Sequence, residues 1–481
     1  MEEFDVRYAW RATVILASIA LMVMYTEGML MPSLPTIQDE FGITAAEASW
    51  ILSIYTITGT VAAAVFGKLG DIYGKKRVLT VVIFIYAVAV TFTGYAPTFP
   101  LLLVARAIQG VGMAMFPLAF SLIREEFPPR MVPVAQGLLS AMFGIGIIIS
   151  LPLGAWISQT YGWRVTYHTA TPIALLVAFS VLLFIRESRF RAPSSVNWIS
   201  TALFAAFAVS LIIALTEAPT WGWGDPKTLS LFALSFASLT SFILNEASSK
   251  EPFLPRSVMN LNVTAANAVL SIVSLAMFMS FNSLIYIYEM PPPSGYGLSI
   301  LQTGIYAVPP AVVQMIMAPL AGRIMVRAGI KPVAFAGLAV AVLGNFLIAF
   351  NVNRGLAALI ASTAVAFAGI ALLNTSLISL ITFSVPRERL GLATGLNTVL
   401  RNLAGSIGPA VAGTLITTYT SAVLYATPLG YTFISLPSAV AYRLSFYIAA
   451  AAFIAAFVPL AMAKEVIKRG EVIYTANAQD K

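Results

Sequence analysis

Two ionisable side chains interrupt stretches that are otherwise apolar. Glu27 lies in a run spanning roughly residues 12–36, ten residues from Ile37, or about 15 Å at the α-helical rise. Arg106 lies in a second run, near 99–123, at a similar distance from the same end. A charge inside hydrocarbon is unfavourable unless it meets a partner or water, so such residues are functional candidates by default. Carboxyl groups withdrawn from water favour their neutral form and can trade a proton near neutral pH. An arginine beside one holds the ionised form and is released when the acid takes up a proton. Glu27 and Arg106 are therefore the expected proton-coupling residues. Arg401 is a third intramembrane charge, placed to meet an anion or backbone carbonyls. A different constellation occupies 67–77, GKLGDIYGKKR, with four cations, one carboxylate and three glycines in eleven residues. Gly67 and Gly70 allow close helix approach, and Gly74 allows a turn with positive φ. Asp71 at a helix end can meet a cation or the N-terminus of another helix.

These residues need long apolar elements to position them, and the composition supplies them. The 481 residues are 59 % hydrophobic and only 10 % charged, with mean hydropathy +0.87. A soluble chain needs roughly a quarter of its residues charged, so lipid must face much of this one. Fourteen continuously apolar runs are long enough to cross a bilayer as helices. Alternating barrel strands are not what these runs resemble. With no cysteine and a single histidine, His168, thiolate chemistry, a metal cluster and a histidine-based acid–base pair are not expected. The first run lacks a small-residue cleavage site and reads as an uncleaved membrane helix.

Charge placement sets the orientation. With both termini in the cytoplasm, 22 of the 28 cations fall in one set of loops, four in the opposite set, and two, Arg106 and Arg401, inside helices. Cations concentrate on the cytoplasmic side. Their spread over every inner loop also argues against nucleic-acid binding.

An internal repeat divides the chain. GKLGDIYGKK at 67–76 has a weaker partner, GRIMVRAGIK, 255 residues later at 322–331. AQGLLSAMFGIGIIISLPLGAWI from Ala135 pairs with ATGLNTVLRNLAGSIGPAVAGTL from Ala393, 258 residues later. The expected fold is an all-α membrane protein: two six-helix bundles related by pseudo-two-fold symmetry, with two inserted helices. The corresponding domains are 1–190, 191–250 and 251–481.

Several motifs now carry a resemblance. The chain resembles the major facilitator superfamily, and within it the fourteen-helix drug:proton antiporter branch. GKLGDIYGKKR resembles that superfamily's motif between helices two and three. ARAIQG, with Arg106 and Gly110, is similar to its helix-four motif. GWRVTYHTATPI at 162–173, WGWGDP at 221–226, EPFLPRSV at 251–258 and RNLAGSIG at 401–408 resemble further segments of the branch. Departures are few. Ile72 stands where a basic residue is usual, Thr26 aligns with the branch's helix-one acid, and Leu151–Pro152 replaces a glycine–proline pair of helix five.

The resemblance implies alternating access, a cytoplasmic gate built on Gly67, Asp71, Gly74, Lys75 and Arg77, and helices one and four lining one cavity. Tyr25, Met113, Phe116, Phe278, Asn282, Tyr286 and Asn374 are the expected cavity residues. An apolar, aromatic lining suits amphipathic organic molecules. The expected function is proton-coupled secondary transport, exporting such compounds or drugs; a proton-linked importer of a metabolite and a non-transporting sensor are the alternatives. No enzyme activity and no cofactor are expected, and no GxxxxGK[ST] loop suggests an ATP-driven pump. The expected partners are a small amphipathic substrate, protons and the lipid bilayer of the cell membrane, with the chain acting as a monomer.

Overall fold

A computed structural model describes residues 5–192, 195–249, 251–255, 258–427, 430–468 and 471–472. Lys250, Arg256, Arg469 and Lys481, counted above among the inner cations, lie outside the described residues. Among the described residues, fourteen helices are long and apolar enough to span a membrane. The first six are α1 (Val6–Ser33), α2 (Glu47–Tyr73), α3 (Lys75–Tyr95), α4 (Phe99–Glu126), α5 (Val132–Tyr161) and α6 (Trp163–Phe184). The inserted pair is α7 (Trp198–Trp221) and α8 (Pro226–Ser248). The last six are α9 (Leu261–Glu289), α10 (Leu301–Ala328), α11 (Ile330–Asn351), α12 (Leu356–Ser384), α13 (Arg387–Thr418) and α14 (Ala439–Met462). The face on which α1 begins is called the entry face below, and the opposite one the far face.

The repeat seen in the sequence is a repeat of contacts. Helices α2 and α13 cross so closely that a Cβ on Gly67 would lie 2.2 Å from the Gly391 carbonyl oxygen, and one on Gly395 would lie 2.4 Å from that of Ala63. Helices α5 and α10 repeat the crossing: a Cβ on Gly322 would lie 2.4 Å from the Pro133 carbonyl oxygen, and one on Gly137 would lie 2.5 Å from that of Ala318. Each position in the second crossing is its counterpart in the first, shifted by the two repeat offsets. Backbone cannot yield as a flexible side chain can, so glycine is required where these helices touch.

The two bundles also share a staple. Gly74 (φ 110°) and Gly329 (φ 95°) turn the chain into α3 and α11. Glu187, just after α6, accepts from the N–H groups of Lys76 and Arg77, both at 3.1 Å. Glu465, just after α14, accepts from those of Ile330 and Lys331, both at 2.9 Å. In each case a carboxylate meets the unsatisfied donors and positive end of a helix.

The inserted pair packs on both bundles, since α7 lies against α2 and α13. The segment leaving α8 is tied to its surroundings by two charges. Glu246 accepts from the Phe253 and Leu254 N–H groups, and the Lys68 ammonium of α2 donates to the Pro252 and Phe253 carbonyls at 3.1 and 3.4 Å.

Two far-face features lie outside the periodic reading. The chain leaves α1 through Pro32 into a short helix, Leu34–Phe41, so Glu27 sits six residues from the end of α1, closer to the far face than the apolar run alone suggests. Between α13 and α14 an antiparallel hairpin forms from β1 (Thr420–Thr427) and β2 (Gly430–Pro437).

Candidate functional site

Glu27 on α1 and Arg106 on α4 meet. The guanidinium clasps the carboxylate through both terminal nitrogens, at 2.9 Å to Oε1 and 2.7 Å to Oε2. This is the two-pronged geometry that makes arginine–carboxylate pairs strong. Arg106 is fully buried, whereas the Glu27 side chain keeps 15 % exposure. Arg106 has other holders. Its Nε donates to the Ile51 carbonyl of α2 at 3.0 Å, its Nη1 donates to Gln109 at 3.1 Å, and its cationic carbon stands 4.8 Å from the Tyr55 ring centroid. The arginine is therefore anchored to α2 and α4, and the acid is its one tie to α1. Three buried tyrosines, Tyr55, Tyr86 and Tyr167, surround the pair. Sequence reading passed over them, because aromatic residues in membrane helices carry no signal until the helices are packed. Gln109 was missed for the same reason, although its spacing of three from Arg106 places it on the same helix face.

The glycine-rich basic segment forms a second cluster on the entry face. Asp71 accepts from the backbone N–H groups of Gly391 and Leu392, at 2.9 and 2.8 Å, in the first turn of the regular helix that starts at Leu390. The N-terminus of a helix is a natural carboxylate site. Lys75 pairs with Asp71 at 2.9 Å and with Glu125 at 2.7 Å, and donates to the Arg387 carbonyl. Ser188 in turn donates to Glu125 at 2.5 Å. Asp71, Lys75, Glu125 and Ser188 are all buried. Glu125 is the member the sequence did not reveal, since it ends an apolar run where a carboxylate reads as solvated. Arg77 stands apart from this cluster. Its side chain is largely exposed and pairs loosely with Glu187 at 3.5 Å.

More bonds join the bundles on the same face. Arg124 donates to the Thr382 carbonyl at 3.2 Å and covers the Phe383 ring. Gln136 donates to Thr382 Oγ1 and accepts from Ser379 Oγ, and Ser121 bonds Thr394. The entry face is closed. Between the far ends of α1, α5 and α10 lies a pocket of about 580 Å³, lined by Pro32, Leu151, Pro152, Gln159, Ser299 and Gly304 among others.

The expected cavity residues fare differently. Tyr25 turns within its own bundle to bond Thr169 on α6 at 3.1 Å. Met113 fills the space over Gly59, and Phe116 packs against Phe143 with ring centroids 4.9 Å apart. Asn282 on α9 and Asn374 on α12 each bury a side-chain oxygen without a partner. Tyr286 is half-buried, and Phe278 is 40 % exposed. The His168 ring meets the Tyr95 ring at 4.5 Å, tilted by 49°, near the far end of α6. No cluster of three or more potential metal ligands occurs among the described residues.

Comparison with known proteins adds to this geometry. The family model described as Major Facilitator Superfamily matches residues 16–409 and 270–472. The chain is 26 % identical over 412 residues to the tetracenomycin C resistance and export protein of Streptomyces glaucescens, covering 85 % of this chain and 76 % of that one. It is 25 % identical over 415 residues to the multidrug resistance protein Stp of Mycobacterium tuberculosis (strain CDC 1551 / Oshkosh), covering 86 % and 77 %. Its fold matches the solved proton:xylose symporter XylE with a TM-score of 0.69 at 13 % identity, over 99 % of this chain and 100 % of that one.

Proposed function

The chain belongs to the major facilitator superfamily, and on that premise we propose that it is a proton-coupled exporter of amphipathic organic compounds working by alternating access. The observation that carries the reading is the Glu27–Arg106 pair. Protonation of Glu27 removes the charge that both guanidinium bonds depend on. Arg106 keeps the Ile51 carbonyl, Gln109 and the Tyr55 ring, so the change frees α1 from α4 while α4 stays tied to α2. Proton uptake thus becomes a movement of one helix.

The entry face is read as cytoplasmic, from its excess of cations, with both termini on that side of the cell membrane and the chain acting as a monomer. Asp71, Lys75 and Glu125 then latch the cytoplasmic side while the pocket between α1, α5 and α10 opens outward. The resistance and export proteins it resembles support organic compounds as cargo and export as the direction.

The test uses inside-out vesicles with an acid lumen and a fluorescent organic substrate. Export coupled to protons appears as accumulation in the lumen that collapses when the pH gradient is discharged. Glu27→Gln is expected to abolish that accumulation while the protein remains folded. Undiminished pH-driven accumulation by this variant would refute the role of Glu27. Accumulation only with the gradient reversed would indicate import.

A further inference from the structure

One charge on the bundle interface is left over once the pairs above are assigned. Arg401 on α13 is fourteen residues from Arg387 and seventeen from Thr418. Among the described residues it is the one charged side chain more than ten residues from both ends of its membrane span. Its Nε reaches Ser274 Oγ of α9 at 3.4 Å, and no carboxylate of the described residues lies within 4 Å of it. The nearby amides do not neutralise it: Asn397 is bonded to Asn267 and Asn402 to Thr60. The guanidinium is deep inside the protein, and the residue as a whole is half-buried. One turn farther along the same seam, the partly exposed Phe278 ring lies against Gly405.

We infer that Arg401 is the anion-binding element of the transport path and that the path accepts amphipathic organic anions, whose carboxylate, sulfonate or phenolate meets the guanidinium while their rings lie along Phe278. This rests on the transport reading above and names the substrate class. The physical reasoning is charge balance. Glu27 and Arg106 neutralise each other, so the membrane interior between the bundles is left with one positive charge. A desolvated cation is strongly unfavourable without a counter-charge, and an anionic substrate supplies it. A guanidinium offers five donors in a planar fork suited to such groups.

The experiment measures equilibrium binding of two xanthene dyes of similar frame and opposite charge, fluorescein and rhodamine 123, to the purified full chain in lipid nanodiscs. Wild type is expected to bind fluorescein saturably. Arg401→Gln should weaken fluorescein binding roughly ten- to hundredfold, the scale of one lost charge-assisted hydrogen bond, and leave rhodamine 123 binding unchanged or tighter. Arg401→Lys should retain fluorescein binding within a few-fold. Ser274→Asp keeps the arginine and gives it an internal counter-ion, so it should also lose fluorescein; this arm stands even where Arg401→Gln folds poorly. Fluorescein binding equal in wild type, R401Q and S274D, or no saturable fluorescein binding by wild type, overturns the inference. Rhodamine 123 bound and pumped without fluorescein binding overturns it and leaves proton-coupled export intact. Fluorescein binding with no pH-driven flux of either dye does the reverse.

Discussion

Glu27 and Arg106 differ in what each leaves behind. Glutamine at 27 still offers an oxygen to a guanidinium that has two other hydrogen-bond acceptors. Alanine at 106 strands the acid and opens a large hole beside Tyr55. Either variant removes one partner of a buried ion pair, at about 3–5 kcal/mol; Arg106→Ala also loses the bonds to Ile51 and Gln109 and the Tyr55 contact, so it should lower the melting temperature further than Glu27→Gln. Equal melting temperatures would mean that the arginine's contacts with Ile51, Gln109 and Tyr55 contribute nothing. A second prediction concerns Glu40, in the far-face segment after α1, which accepts from Trp163 Nε1 at 2.6 Å and from Arg164. Burial pulls this carboxyl upward, but the Arg164 and Trp163 bonds outweigh it and hold it below the ordinary glutamate range. A depressed carboxyl stabilises the fold above its unfolded value and loses that contribution as pH falls through the folded one. Glu40→Gln should therefore be less stable than wild type at neutral pH and converge with it in acid, as read from paired melts across pH. At this scale the sequence announced Glu27, Arg106 and Arg401, because a charge inside hydrocarbon is conspicuous. It hid Glu125 and Glu187, because an acid at a helix end looks solvated until a partner more than a hundred residues away, or on a neighbouring helix, is known.

Helix crossings carry the next prediction. The Gly67–Gly391 contact has no room for a side chain, and the obstructing atoms are backbone. Gly391→Leu should force α2 and α13 apart and open the entry face. The chain has no cysteine, so spin labels on cysteines introduced at Tyr73 and Glu388 report that distance cleanly; a distribution matching the labelled glycine parent would show that the crossing does not hold the face shut. All fourteen spans were legible because hydrophobic length is a local property. The hairpin formed by β1 and β2 was not. Its eight-residue strands are too short for a search tuned to twenty apolar residues, and each is stabilised by a partner that only a turn brings near.

Across the whole molecule the two crossings are alike in shape and unlike in chemistry. Asp71 meets the Gly391 and Leu392 N–H groups in one arm. The repeat offsets place Val326 opposite Pro133 and Val134 in the other, so the carboxylate is absent and proline supplies no N–H. The acid and one of its two donors are missing from this arm, leaving one polar latch and one apolar hinge. Asp71→Asn should widen the Tyr73–Glu388 distance, and adding Val326→Asp should not restore it. Recovery of the parent distance in the double variant would show that the arms are interchangeable. The sequence repeat announced the symmetry, but the register of the helices against each other, and hence the paired loss at Val326 and Pro133, needed the packed structure.

The staples at Glu187 and Glu465 impose an order on biogenesis. Glu187 is synthesised before any residue of α9, so the first bundle can secure the start of α3 while the second is still unmade. Glu465 follows α14, so α11, made more than a hundred residues earlier, waits for its cap until the last helix has entered the bilayer. The second bundle therefore matures last. A chain stopped just short of Glu465 should insert fully and yet remain open to proteolysis at the Gly329 turn, while the Gly74 turn stays protected.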